Sequence, residues 1–138
     1  SKDGNDRFYI MALTDVGTRE YKFASSSSMS GTTSTFGSGK TNTQTLIGKA
    51  DLNSSLKEQI QPKVNKGWFI PSKEEWSAFG EELGITKSNY SAKGLSNWYW
   101  SSSTSGDLFA WSARFSKGYM CTHISDIYSI YVRLATTF

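Results

Sequence analysis

Apolar positions fall into short runs divided by polar punctuation, a pattern of strands and brief helices rather than a long bundle. Residues 8–13 (FYIMAL) predict a first strand, bounded by Asp3-Gly4-Asn5-Asp6 and Asp15-Val16-Gly17. Residues 21–24 predict a hairpin arm that pairs with it. Residues 25–45 are mostly Ser, Thr and Gly without an apolar period, which predicts a wrapped surface loop anchored by Phe36. Leu52, Leu56 and Ile60, spaced by four, predict a helix limited by Pro62. A second helix follows a short extended piece at 67–70. Ser72 and Glu75 have capping-box spacing, Trp76, Phe79 and Leu83 share a face, and Gly84 supplies the stop.

Beyond Gly84 the texture is β. Trp98, Tyr99 and Trp100 open a strand that continues through Ser101, Ser102 and Ser103. Residues 109–115 alternate, and alternation assigns Trp111, Ala113 and Phe115 to the core and Ser112, Arg114 and Ser116 to the outside. Lys117-Gly118 predicts a turn. Residues 119–124 and 128–135 predict another antiparallel pair, with Val132 and Leu134 inward. Placing Met120 inward turns Tyr119, Cys121 and His123 outward. The order gives an α+β domain over residues 1–138, with two helices packed on small antiparallel sheets and long Ser/Thr/Gly-rich loops.

Composition narrows the function. The 138 residues are 37% apolar and 14% aromatic, with five Trp, so the chain can bury a core. The net charge of +3 is scattered among acidic residues, so the concentrated basic stripe expected of a nucleic-acid binder is missing. No apolar run approaches the roughly 20 residues that cross a bilayer, and direct membrane insertion is not expected. Cys121 is the single cysteine, which excludes an internal disulfide. The chain opens at Ser1 without Met or a signal peptide and reads as a processed or excised piece.

Catalytic motifs are weak. Gly37-Ser38-Gly39-Lys40-Thr41 is close to the end of a phosphate-binding loop, but Ser34 stands where the pattern needs Gly. The polar lead-in offers no buried strand, and Asn42-Thr43-Gln44-Thr45 does not read as a first helical turn. His123 and Asp126 lack a Gly-x-Ser-x-Gly nucleophile elbow, and one His with one Cys does not make a zinc site. No enzyme activity, metal or cofactor is expected.

The specific signal lies in Gly67-Trp68-Phe69-Ile70-Pro71-Ser72-Lys73-Glu74-Glu75-Trp76 and in Trp98-Tyr99-Trp100-Ser101-Ser102-Ser103. Ala110-Trp111, Phe115, Gly118 and Val132-Arg133 follow in order. Together they resemble the bacterial and phage domains of the C-type lectin fold. They are most similar to the variable proteins of diversity-generating retroelements and to undiversified relatives in bacterial surface proteins. The likeness covers roughly residues 37–138, and Asn42-Thr43 is similar to the family's stretch ahead of the first helix. Calcium-dependent sugar binding is not implied, because Gln61-Pro62 is followed by Lys63 and Asn97 precedes Trp98. The fold also resembles that of formylglycine-generating enzymes, whose reactive cysteine site a lone Cys121 does not supply.

The resemblance implies a ligand- or receptor-binding display protein, on a bacterial cell surface or phage particle, with a variable region at about 101–132. Its partner would be an unknown protein or surface ligand. In this family adenine mutagenesis of Asn-type codons cannot yield Lys, Glu, Gln, Met or Trp. Between Ser103 and Tyr131 only Trp111, Lys117 and Met120 belong to that set, against thirteen residues between Asp51 and Glu82. The general scarcity of Glu and Lys in strands is an alternative explanation. The expected ligand-binding positions are Ser105, Asp107, Leu108, Phe109, Ser112, Arg114, Ser116, Tyr119, Cys121, Thr122, His123, Ile124, Asp126, Tyr128 and Ser129. Leu108 and Phe109 could instead cover the core edge. Trp68, Trp76, Trp98, Trp100 and Trp111 are expected to form the scaffold, and the alternative is an undiversified lectin-like adhesin module.

Overall fold

The computed structural model describes residues 9–23, 31–49, 52–105, 109–116, 120–124 and 128–137, with 120–124 described by their backbone. The architecture is α+β. In chain order the elements are β1 (Tyr9–Met11), α1 (Gly39–Ile47), α2 (Ser54–Val64), α3 (Lys73–Glu82), β2 (Trp98–Ser105), β3 (Phe109–Arg114), β4 (Met120–Ile124) and β5 (Ala135–Thr137). β1 pairs antiparallel with β5, while β2, β3 and β4 form an antiparallel sheet in that order.

The central sheet is covered on both faces. Trp100 of β2 enters a core with Phe23, Leu46, Leu56, Ile60, Ile130 and Val132. Its neighbour Tyr99 points the other way and joins Trp76, Ala113 and Phe115. Trp76 stacks on Tyr99 with centroids 4.9 Å apart and donates Nε1–H to the Trp100 carbonyl at 3.2 Å. The Trp100 indole donates to the Tyr21 carbonyl at 2.8 Å. The two indoles thus tie α3 to β2 and β2 to the segment at Tyr21 while removing large apolar areas from water. A third cluster, of Tyr9, Phe69, Phe79 and Ala135, packs beneath the β1–β5 pair, with Phe36 against it.

Helix α3 forms as the spacing predicts. Ser72 accepts from the Glu75 amide, Glu75 returns the bond to the Ser72 amide, and Gly84 beyond the helix adopts φ +62°. Leu83 does not join the buried face. It lies at the C-cap, 48% exposed. Helix α2 buries Leu56 and Ile60 but runs two residues past Pro62, whose missing N–H leaves a single rung of the ladder, to the Glu58 carbonyl, unmade.

Among the described residues there are three α-helices, not two. Residues 39–47 form α1, so the Ser/Thr/Gly-rich stretch is a surface loop only over its described part at 31–38, and Ser25 to Ser30 lie outside the described residues. No apolar stripe announces α1 because its buried side includes Asn42 and Thr43 beside Leu46. Asn42 exchanges hydrogen bonds with the Thr33 backbone, and Thr43 bridges the Gly39 carbonyl and the Ile70 amide. Two pairings also differ from expectation. Tyr21 bridges Ile130 rather than β1, and 128–135 does not pair with β4, since Tyr131 bridges Tyr99 and Ala135 opens β5.

The serines of β2 explain how the polar loop is held. The β2–β3 register shifts between Trp100 and Thr104, and Ser101, Ser102 and Ser103 are fully buried there. Ser101 donates to the Trp111 carbonyl, Ser103 donates to the Thr33 carbonyl, and the Ser103 hydroxyl accepts from the Lys73 amide. Buried hydroxyls are tolerated when bonded in this way. Loop 31–38 is therefore pinned by hydrogen bonds together with the expected apolar anchor, Phe36, whose ring lies 4.9 Å from that of Tyr9.

Candidate functional site

Two buried polar centres, around Glu75 and around Asp15, tie separate segments together by hydrogen bonds. The Glu75 carboxylate accepts from Ser72 N at 2.8 Å and from Gly37 N at 3.1 Å, and the Gly39 amide also bonds it. It therefore fills the N-terminus of α1, where a phosphate would sit in a phosphate-binding loop. Gly39 must be glycine, since a Cβ there would overlap the Glu75 carboxylate and come within 2.8 Å of Phe69. The Gly-Ser-Gly-Lys-Thr segment does begin a helix, contrary to the sequence expectation, but its anion is internal.

Burial pushes the Glu75 carboxyl above its ordinary value, against hydrogen bonds from Ser72, Gly37 and Gly39 that favour the ionised form. The folded chain thus binds this proton more tightly than the unfolded chain. Its contribution is present at low pH and is lost as pH rises from about 4.5 through the raised folded value. Urea titrations across that window should show the parent losing stability relative to Glu75→Gln as pH increases. A gain with rising pH would reverse the sign.

The second centre joins Asp15, Ser96, Tyr99 and Arg133. Asp15 accepts from Tyr99 Oη at 2.6 Å, Ser96 Oγ at 2.7 Å and Arg133 Nε at 2.9 Å, and Arg133 also donates to the Gly94 carbonyl. Burial, reinforced by the bond to Asp15, pushes the Tyr99 hydroxyl well up, so it stays protonated as a donor. Sequence reasoning missed this centre. Its signal was a charged residue inside the apolar run Val132-Arg133-Leu134.

The expected binding positions separate into three groups. Phe109 and Tyr128 are 39% and 40% exposed, Ser116 and Ser129 are exposed, and Ser105 and Arg114 are half-buried. Ser112 is a correction. It is fully buried and accepts from Trp98 Nε1 at 2.8 Å, because it pairs with Trp100 on the face of the sheet that the main core covers. Cys121, Thr122, His123 and Ile124 lie on β4, opposite Ser112, Trp111, Ala110 and Phe109. Asp107, Leu108, Tyr119 and Asp126 lie outside the described residues, as do Lys117 and Gly118.

Ser112→Asn should accordingly cost about 1–3 kcal/mol by overpacking, whereas Ser116→Asn should stay within about 0.5 kcal/mol. Chemical denaturation of both variants checks the contrast, and equal costs would contradict it.

Among the tryptophans, Trp76 and Trp100 are fully buried, while Trp68 and Trp98 are half-buried against the main core. Trp111 departs from its core assignment. It is half-buried, with Lys73 Nζ 3.7 Å above its ring. On the other sheet face the Arg114 guanidinium lies 4.2 Å from the Trp98 ring, and Trp98 in turn is 5.6 Å from Tyr128. Arg114, Trp98 and Tyr128 thus form one row at the end of the sheet.

Concave surface occurs elsewhere too. A cleft of about 280 Å³ is lined by Trp68, Gln59, Lys63 and Asp15. A more apolar groove of about 490 Å³ is lined by Ile10, Leu13, Phe79 and Leu83. Among the described residues no three His, Cys, Asp or Glu side chains gather to hold a metal, and no helix is long and apolar enough to cross a membrane. No protein-family profile and no curated protein matches the chain.

Proposed function

We propose that the chain is a non-catalytic ligand-binding domain of the C-type lectin fold, displayed on a bacterial cell surface or phage particle. Its exposed C-terminal positions are diversified by a retroelement. Pairing of the first and last strands around three helices and the β2–β3–β4 sheet supports the fold assignment. The observation that carries the function is a contrast in surface chemistry. The described exposed residues within 101–132 are Phe109, Ser116, Tyr128 and Ser129, all reachable by adenine mutagenesis. Elsewhere the exposed surface is rich in the unreachable types, including Lys40, Glu58, Gln59, Lys63, Lys66, Glu74, Glu81, Glu82, Lys87 and Lys93.

Binding follows from a rigid frame. Core rings and buried polar bonds hold β2 and β3, so substitutions at exposed positions cost little stability. Aromatic and Arg groups there supply anchors, and small hydroxyl residues supply adaptable contacts. The extent of diversification is narrower than alternation implied, because Ser112 belongs to the frame.

Sequencing the genomic neighbourhood tests the proposal. A near-identical repeat of the segment encoding residues 101–132, differing at adenines and lying beside a reverse-transcriptase gene, is the expected result. Absence of both would overturn diversification and favour the undiversified adhesin.

A further inference from the structure

The geometry points to a carboxylate, carried by an acidic segment of a protein partner, as the group that Arg114 takes from the ligand. This rests on reading the β2–β3 end as a binding surface. The guanidinium lies 4.2 Å from the Trp98 ring, and Tyr128, 40% exposed, stands next in the row. Trp98 is anchored by its bond to the buried Ser112 hydroxyl, so the platform beneath Arg114 is fixed.

Stacking occupies the face of the guanidinium and leaves its N–H edges to donate. Arg114 Nε is buried without a hydrogen-bond partner, and no carboxylate pairs with Arg114 among the described residues. Arg133 shows the contrasting case, with its Nε on Asp15 and an Nη on the Gly94 carbonyl. Nε is sealed from solvent, so the donors that a partner can reach on this half-buried cation are its terminal Nη groups, and a carboxylate matches them in charge and planar shape. A glutamate, whose carboxylate ends an apolar stem, suits an Arg edge flanked by an exposed phenol ring. Arg, Trp and Tyr are also the residue types that anchor protein interfaces.

The test is an NMR titration of the isotope-labelled chain, following the Trp98 indole N–H. The probes are a blocked Gly-Glu-Gly-Glu-Gly peptide, its Gln counterpart and N-acetylneuraminic acid. The acidic peptide should shift the resonance saturably, with at least about tenfold weaker binding for the Gln peptide and for Arg114→Gln. Arg114→Lys, which keeps the charge but loses the fork, should fall between. The inference is overturned if no saturable shift occurs, if both peptides bind equally, or if Arg114→Gln binds like the parent. Binding of the sugar acid without the peptide overturns the assignment to a protein segment. Each of these failures leaves the diversification proposal standing, since the genomic repeat decides that separately.

Discussion

Replacing Asp15 by alanine should cost about 3–5 kcal/mol of folding stability, because it strands the Arg133 charge in a site only 5% exposed. The same change removes the acceptor of the Tyr99 and Ser96 hydroxyls. Against the total of about 5–15 kcal/mol typical of a domain, such a loss brings the chain near unfolding. Pairing the change with Arg133→Met should recover part of it, since an apolar side chain of similar length leaves no buried charge unpaired. Urea denaturation of both variants distinguishes the cause. A cost below about 1 kcal/mol for Asp15→Ala, or no recovery in the double variant, would show that Arg133 finds other partners.

Trp100→Ala should be comparably severe, at about 3–5 kcal/mol, by opening a cavity among Phe23, Leu56 and Ile130. It also removes the indole donor to the Tyr21 carbonyl, which retains its bond from the Ile130 amide. Trp100→Phe keeps most of the ring and should lose less. Trp111→Ala should cost clearly less than Trp100→Ala, because the half-buried Trp111 ring is covered by a flexible Lys73 chain rather than a packed core. Comparable costs at Trp100 and Trp111 would place both rings in one core and contradict the burial pattern.

The local devices that the sequence revealed depend on short-range chemistry. The Ser72–Glu75 capping box, the Trp76 and Phe79 face, the Gly84 stop and the strands at Trp98 and Phe109 all follow from spacing within a few residues. What stayed hidden depends on partners far away in the chain. Helix α1 has a polar inner side because Thr33, Ile70 and Ser102 meet it there. Ser112 looked like an outward residue because alternation assumes one wet face, whereas this sheet is covered on both. Arg133 pairs with a residue 118 positions away, so no local pattern could announce it.

The candidate site was legible to a similar degree. Exposure of Phe109, Ser116, Tyr128 and Ser129 matches the expectation, while the row of Arg114, Trp98 and Tyr128 emerges only when separate segments meet at the sheet end. Trp98 was expected to serve the scaffold and Arg114 the ligand. Their stacking joins the scaffold residue to the proposed binding surface.

The central claim, a frame indifferent to the side chains it displays, is tested most directly by thermal unfolding of chains carrying simultaneous replacements at Phe109, Arg114, Ser116, Tyr128 and Ser129. The replacements should be drawn from the residues that adenine mutagenesis can produce. The account predicts cooperative unfolding with midpoints within about 3–4 °C of the parent, the shift expected for roughly 1 kcal/mol in a chain of this length. Loss of cooperative unfolding in most such chains would contradict it.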